Sequence, residues 1–430
     1  MQQLRVTNFS SISSAEMEIA DLTVLIGPQA SGKSVLSKLI YFFNQIIITL
    51  PIVAEDRLTL EELGDKIKED FEKWFPSAAW GERVFHIRFE AGPFSFHIKR
   101  KGSTSRLSNK IEINFSADFL SHYDVLEVNF ENAVAGDKDQ NELSVTRPWR
   151  VLNLIAREQE RLLHEILDQD YVSSQIFVPA GRSWFSSIGK AIGAFEYSGL
   201  LDPITLDFGR LYTSARERAR DTWRTRGYSP IQRRLMHDLF GGEVRFERDK
   251  EFVQTADGRK LPFGVLSSGQ QELLPLWLVI SQLPSFPAVR RERRGKSLIF
   301  IEEPEAHLFP SGQSLLLDYL ARTVSRAVDN RQMLITTHSP YVLSKINNLL
   351  KAGSLGYQED RPELAEEIMK IVPKRSWLRA SEAAAYAIID GQVVPIMNDE
   401  GLIDGDYLDE VSGEISRTFN RLLELEFADD

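Results

Sequence analysis

Apolar positions along the first 50 residues first alternate and then cluster. Leu4, Val6 and Phe9, then Met17 and Ile19, flank a serine-rich stretch at 10–14, a pattern that predicts a β-hairpin. The run Leu22, Val24, Leu25, Ile26 predicts a buried strand, and Val35, Leu36, Leu39, Ile40 and Phe43 then recur at helical spacing. Residues 55–78, with Glu61, Glu62, Lys66, Lys68, Phe71 and Trp74, predict a surface helical insertion ending at Pro76. From residue 83 the period falls to two. Val84, His86 and Arg88, then Phe94, Phe96 and Ile98, then Ile111, Ile113 and Phe115 predict an antiparallel sheet, with breaks at Gly92-Pro93 and at 101–108. Further on, the pattern predicts a helix over 150–169, a short strand over 175–178 and an arginine-rich helical stretch over 205–240. A hairpin over 243–253 and 259–263 turns at Asp257-Gly258. The short apolar runs 298–301 and 333–336 read as buried parallel strands. A strand pair at 384–389 and 393–397 and a last helix over 407–427 complete the pattern.

Composition narrows the class. With 430 residues, 43% of them hydrophobic and 26% charged, the chain has the make-up of a folded globular protein. It has no cysteine, which rules out disulfides, thiolate metal sites and cysteine nucleophiles and suits a reducing cytoplasm. The most apolar window, 41–54, is broken by Asn44, Gln45, Thr49 and Pro51 and falls short of the ~20 residues that span a bilayer. The N-terminus reads as a strand and not as an export signal, so a cytoplasmic chain with no membrane partner is expected. A net charge of −11 argues against a protein that coats nucleic acid generally. Two basic stretches remain candidates for phosphate-backbone contact: the arginines of 205–240 and the cluster Arg290, Arg291, Arg293, Arg294 and Lys296.

The chemistry gathers at strand ends. Gly27, Pro28, Gln29, Ala30, Ser31, Gly32, Lys33 and Ser34 spell G-x-x-x-x-G-K-[ST] between the strand at 22–26 and the helix that opens near Val35. Backbone N–H groups and a helix N-terminus presented this way bind phosphate, Lys33 reaches the β- and γ-phosphates, and the Ser34 hydroxyl ligates Mg²⁺. The strand at 298–301 ends in Glu302-Glu303-Pro304, and that at 333–336 ends in Thr337-His338-Ser339-Pro340. Open α/β sheets place their ligands at such carboxyl ends. Leu266, Ser267, Ser268, Gly269 and Gln270 stand directly before another apolar-periodic helix, a second potential anion site.

In this order and context the motifs resemble those of the ABC-type ATPases: phosphate loop at 27–34, an LSGGQ-like signature at 266–270, a Walker B strand with its acids at 298–303, and a switch histidine at His338. The longer forms E-E-P-E-A-H-L-F-P at 302–310 and T-T-H-S-P at 336–340 look most like the OLD-like and RecF-like AAA ATPases, many of which are associated with DNA or phage defence. The resemblance implies an α/β fold, an ABC-type P-loop NTPase head with an antiparallel β subdomain, an inserted helical lobe and a small α+β C-terminal extension. It divides the chain into 1–50 and 243–350 as the two parts of the head, 51–242 as inserted subdomains and 351–430 as the extension.

The resemblance also implies roles. ATP and Mg²⁺ are the expected ligands, with Lys33, Glu303 and His338 catalytic, Ser34 and Glu302 on the metal, and residues 27–35 with 267–270 around the nucleotide. Glu302 stands where the family has aspartate, and Gln29 where relatives often have asparagine. No glutamine fills the family's coupling position. Arg182, in the loop 179–184, occupies that stretch, and a structural pairing with a carboxylate is the favoured reading for it. Glu305 and His307 match an interface loop. In the family the signature grips ATP on the opposite subunit, which implies a homodimer or higher homo-oligomer. The leading expectation is an ATPase that works as a nucleotide-gated switch for a separate effector, a nuclease or toxin, as in two-gene anti-phage systems. The alternative is a DNA-repair ATPase head of the RecF or SMC kind that binds DNA itself. Asp404 and Asp406 match the D-x-D of a TOPRIM nuclease poorly and read as loop and helix-start residues.

Overall fold

The computed structural model describes residues 1–405 apart from 57, 104–105, 137–157, 189–200, 226, 248–249, 284–294, 325–329 and 359–360, together with 417, 418 and 421 of the tail. All of the expected helix over 407–427 except 417, 418 and 421, which are helical, lies outside the described residues, as do Asp406, the arginines at 290–294 and the first part of the 150–169 helix.

Eleven strands form one sheet. The N-terminal hairpin is β1 (Gln2–Phe9) and β2 (Ile12–Ile19), and β3 (Leu22–Ile26) carries the phosphate loop. Next come β4 (His86–Ala91), β5 (Phe94–Ser103) and β6 (Arg106–Phe115), then β7 (Val172–Val178). A separate three-stranded sheet holds β8 (Gly242–Glu247), β9 (Lys250–Thr255) and β10 (Lys260–Pro262). The large sheet is completed by β11 (Lys296–Glu302), β12 (Arg331–Thr337), β13 (Ala383–Ile389) and β14 (Gln392–Pro395). Its spatial order is β6-β5-β4-β1-β2-β14-β13-β3-β12-β11-β7. The half from β6 to β2 is antiparallel, whereas β13, β3, β12, β11 and β7 run parallel. The expected antiparallel subdomain is therefore continuous with the sheet that carries the phosphate loop, joined to it through β1 and β4. The C-terminal strand pair does not stand apart either: β13 lies directly against β3.

Helices cover both faces. On one, α1 (Lys33–Glu55), α2 (Leu60–Trp74) and α3 (Ala117–Gly136) enclose a core with Phe43, Phe71, Phe89, Phe96 and Phe119. The stretch expected as a surface insertion thus buries Leu63, Ile67 and Phe71, one side of α2, while a Thr59–Glu62 capping box starts it. A helix over 158–167, α4, leads into β7. The other face is packed by α5 (Ser183–Ile188), α6 (Pro203–Thr225), α7 (Pro230–Phe240), α8 (Ser268–Gln282), α9 (Pro310–Val324) and α10 (Pro340–Gly356), with α11 (Pro362–Ile371) behind α10. The parallel strands alternate between the two cores: Ile299 and Ile301 face one, Leu298 and Phe300 the other.

The arginine-rich stretch is two helices, not one. Gly227 at φ +66°, the Ser229 N-cap and Pro230 at the first helical turn end α6 and start α7. Some of its arginines are paired within the chain: Glu251 accepts from Arg216 and from Arg220 (2.7 Å), and Asp207 from Arg210. No helix among the described residues is long and apolar enough to cross a membrane.

Candidate nucleotide site

Strand register assembles the site. Because β12 lies between β3 and β11, Thr337 falls opposite Ile26 and Glu302 opposite Thr336. The phosphate loop, the histidine after β12 and the acids ending β11 therefore leave the sheet side by side. The phosphate loop thus meets two segments that follow it by more than 250 positions in the chain, along one edge of strand ends.

Steric fit explains the loop. Ala30 (φ +60°) and Gly32 (φ +109°) turn the backbone before α1 begins at Lys33. A Cβ on Gly32 would come within 2.5 Å of Ile12 and 2.7 Å of the Ser11 hydroxyl, so the tip of the β1–β2 hairpin packs beneath the loop. Gly27 is bounded by the Ile388 carbonyl of β13, 3.1 Å from where its Cβ would stand. Pro28, Gln29, Ala30 and Ser34 are exposed, and Val35 begins the half-buried side of α1. The Ser31 hydroxyl is buried without a hydrogen-bond partner.

Lys33 is buried, and its ammonium donates to the carbonyls of Gly27 (2.8 Å) and Pro28 (2.9 Å). Burial holds it below the ordinary lysine value, against the opposing pull of Glu303, Glu305 and Glu302. It also lies 3.4 Å from His338 Nδ1, while His338 Nε2 lies 3.1 Å from a Glu303 carboxylate oxygen. An ammonium can only donate and a carboxylate can only accept, so this arrangement places the proton of a neutral imidazole on Nε2. Glu303 adopts φ +44°, a conformation that side-chain-bearing residues seldom occupy, and its N–H donates to the Thr336 carbonyl. Strain at this residue aims the carboxylate at His338.

Glu302 and Glu305 are buried beside it. Glu302 accepts from the Ala180 N–H (3.1 Å) with one oxygen, and its other oxygen has no partner. Glu305 accepts from the Thr337 hydroxyl (2.6 Å) and the His338 N–H (2.8 Å), fixing the backbone that carries the histidine. The signature residues pack elsewhere. Ser267 caps α8, Gln270 closes the capping box and donates to the Phe240 carbonyl (2.7 Å), and Ser267 and Ser268 are exposed. A Cβ on Gly269 would reach 2.5 Å from the His307 carbonyl. The Gln270 side chain is thus committed within its own chain, leaving backbone N–H groups and the serine hydroxyls to meet an anion.

Arg182 joins these two regions. It is wholly buried, and its guanidinium donates to the carbonyls of Glu302 (2.8 Å), Glu303 (3.1 Å), Pro179 (3.0 Å) and Glu272 (3.0 Å). The buried Glu272 carboxylate accepts from the Arg182 N–H and lies 3.8 Å from Nε. Burial lowers the Arg182 value despite four neighbouring carboxylates, Glu272 foremost. Helix α8 is gripped a second time. Pro275 has no N–H to give the Gln271 carbonyl, and the Ser186 hydroxyl donates to it instead (2.8 Å). The pairing expected for Arg182 is present, but sequence did not single out Glu272 or Ser186; only Pro275 inside a helical pattern could have signalled a missing donor.

A phosphate-loop cradle that only glycine fits, an orphaned Ser31 hydroxyl and a buried Glu302 oxygen without a partner fit a Mg²⁺-bound nucleotide. Among the described residues no three His, Asp or Glu side chains cluster as a metal cage.

Solved structures that superpose on the chain include an SMC head domain from Thermotoga maritima, 13% identical, covering 92% of this chain and 98% of that one at a TM-score of 0.37. An Smc head with an extended coiled coil bound to the C-terminal domain of ScpA, derived from Pyrococcus furiosus, is 13% identical over 97% of this chain and 100% of that one, at 0.37. The recombination mediator RecF is 11% identical over 92% and 97%, at 0.32. No curated protein matches the sequence. Residues 22–344, three-quarters of the chain and all of its strand-end motifs, match the family described as "AAA domain, putative AbiEii toxin, Type IV TA system"; the chain belongs to that family, and its phosphate loop is that of a P-loop ATPase.

Proposed function

We propose that the chain binds and hydrolyses ATP as a dimeric, nucleotide-gated switch for a separate effector in the cytoplasm. The observation that carries this reading is the contact chain from Lys33 through His338 to Glu303, beside the unpaired oxygen of Glu302. Glu303 is placed to orient and deprotonate an attacking water. His338 passes information about the γ-phosphate between Lys33 and Glu303, and the loop N–H groups with Lys33 hold the phosphates. Ser34 and Glu302 would hold Mg²⁺, which neutralises charge on the phosphate oxygens. Exposed Ser267, Ser268 and Gly269 at the start of α8 supply N–H and hydroxyl donors for the nucleotide of a second subunit, and Glu305 and His307 lie in the loop beside them. The family's toxin–antitoxin description accords with a chain that works with a second protein, and anti-phage defence by a partner nuclease or toxin is the setting we favour.

The test is the concentration dependence of turnover. Specific ATPase activity should rise with protein concentration, Lys33→Ala should abolish nucleotide binding, and Glu303→Gln should give an ATP-stabilised dimer by light scattering. Wild-type hydrolysis by Glu303→Gln would overturn the assignment of the base.

A further inference from the structure

The solvent face of the antiparallel sheet carries a charge pattern that the nucleotide site does not use. Pairing register sets Arg5 directly opposite Arg88, and Arg88 directly opposite His97. In the neighbouring row His86 stands opposite Lys99, which in turn faces Glu112. Like charges directly opposite one another on paired strands destabilise a sheet, and Arg5 on β1 and Arg88 on β4 form such a pair. One carboxylate answers the two arginines: Glu90 accepts from Arg5 and from Arg88, each at 2.7 Å. The other partner of Arg5, Glu16, lies on β2, away from Arg88, and its side chain is 75% exposed.

Between these rows is an open cavity of about 350 Å³. Its polar lining is Arg5, Thr7, His86, Arg88, Ser95, His97 and Asn114, all of them donors or donor-capable, with no carboxylate among them. His86 Nδ1 and His97 Nε2 are 3.3 Å apart, one ring donating to the other. Burial lowers the His97 value first, and the neighbouring Arg88 and Lys99 cations lower it further against the pull of Glu112. A divalent cation would meet two imidazoles and two guanidiniums in the lining and no carboxylate oxygen to ligate it, which is the wrong donor set for it. An anion would relieve the repulsion and find a guanidinium fork suited to bidentate contact.

We propose that this cavity is a second anion site, separate from the phosphate loop, which takes a phosphate group on Arg88 and Arg5 with Ser95, Asn114 and the histidine pair completing the donors. The phosphate belongs either to a small polyphosphate or to a nucleic-acid backbone, and the test separates them. In the full chain carrying Lys33→Ala, which silences the phosphate loop, binding of inorganic pyrophosphate is followed by calorimetry and binding of a labelled 20-base-pair DNA duplex by anisotropy. Pyrophosphate binding without duplex binding identifies a small-anion site. Duplex binding that pyrophosphate displaces identifies a backbone site. Adding Arg88→Gln should weaken either interaction about ten- to hundredfold, the loss of one charge-assisted hydrogen bond. It should leave the melting temperature equal or higher, because it removes a like-charge contact. Asn114→Ala, which leaves every charge in place, should weaken binding in the same sense. Binding of neither probe to the Lys33→Ala chain, or unchanged binding after Arg88→Gln, overturns the proposal whatever the ATPase does.

Discussion

Arg182 is the residue whose loss should separate the acids of β11 from helix α8. Replacing it with methionine keeps the length and apolar stem but removes every guanidinium donor. Four carbonyls, those of Pro179, Glu272, Glu302 and Glu303, then lose a donor, although that of Glu303 keeps the Ala306 N–H. Each buried acceptor left unpaired costs about 1–3 kcal/mol. Stranding the buried Glu272 carboxylate opposite a neutral side chain adds about 3–5 kcal/mol for a broken buried pair. These costs overlap, since one side chain serves all of them and the Arg182 N–H still reaches Glu272, so we expect a total of about 5 kcal/mol. That is a large share of the about 5–15 kcal/mol by which a domain is stable. Urea unfolding of the wild type, Arg182→Met, Glu272→Leu and the double variant measures the coupling directly. The double variant should recover part of the loss, because two apolar side chains strand no charge. In the same preparations turnover should fall more than nucleotide affinity, since Lys33 and the loop are untouched while the Glu303 backbone is released. A loss below about 1 kcal/mol for Arg182→Met, or strictly additive effects, would refute the argument that this pair ties α8 to β11.

Three further expectations follow from other parts of the molecule. Gly32→Ala forces a Cβ against Ile12 and Ser11 at φ +109°, so it should cost about 1–3 kcal/mol in unfolding experiments and abolish nucleotide binding by calorimetry. Ser186→Ala leaves the Gln271 carbonyl without the hydroxyl that replaces the missing Pro275 N–H, and should cost about 1–3 kcal/mol in urea with a normal m-value. His122 is buried, and burial lowers its value in the folded chain below the unfolded one. Between the two the unfolded chain holds the extra proton, so stability is intact above about pH 6.5 and is lost as pH falls below it, by at most about 1.4 kcal/mol per unit. His122→Leu should flatten that slope between pH 7 and 5.5, and an unchanged slope would assign the acid sensitivity to other groups.

The strand-end motifs were legible in the sequence because each joins a short apolar run to a polar cluster, and a buried parallel strand leaves few other ways to read Leu298–Glu303 or Met333–His338. Their meeting in one place could be inferred only through the family resemblance, since register between β3, β12 and β11 is not written in any local pattern. What escaped was long-range. Nothing in 383–395 tells that it inserts beside β3, because alternation specifies a strand but not its neighbour. The helix expected at 55–78 is present and lies at the surface, but the stripe of Leu63, Ile67 and Phe71 that packs it down was not picked out, because it is narrow and a charge count hides it. The run at 205–240 looked continuous because arginine favours helix throughout, and the short Gly227–Pro230 break was overlooked.

The neighbours of β3 set a timetable for the protein's birth. Leu22 pairs with Met333 on one side and with Ala383 on the other, so a ribosome has made the phosphate loop long before it has made either flank. At about 5–20 residues per second the wait lasts roughly 20–70 s. Until β12 is made the five-residue strand has both edges unpaired, and until β13 is made one edge stays open and the wall that Ile388 gives to Gly27 does not exist. Competence for nucleotide therefore arrives late and all at once, and a nascent chain stalled before β13 offers an adhesive edge in place of a binding site.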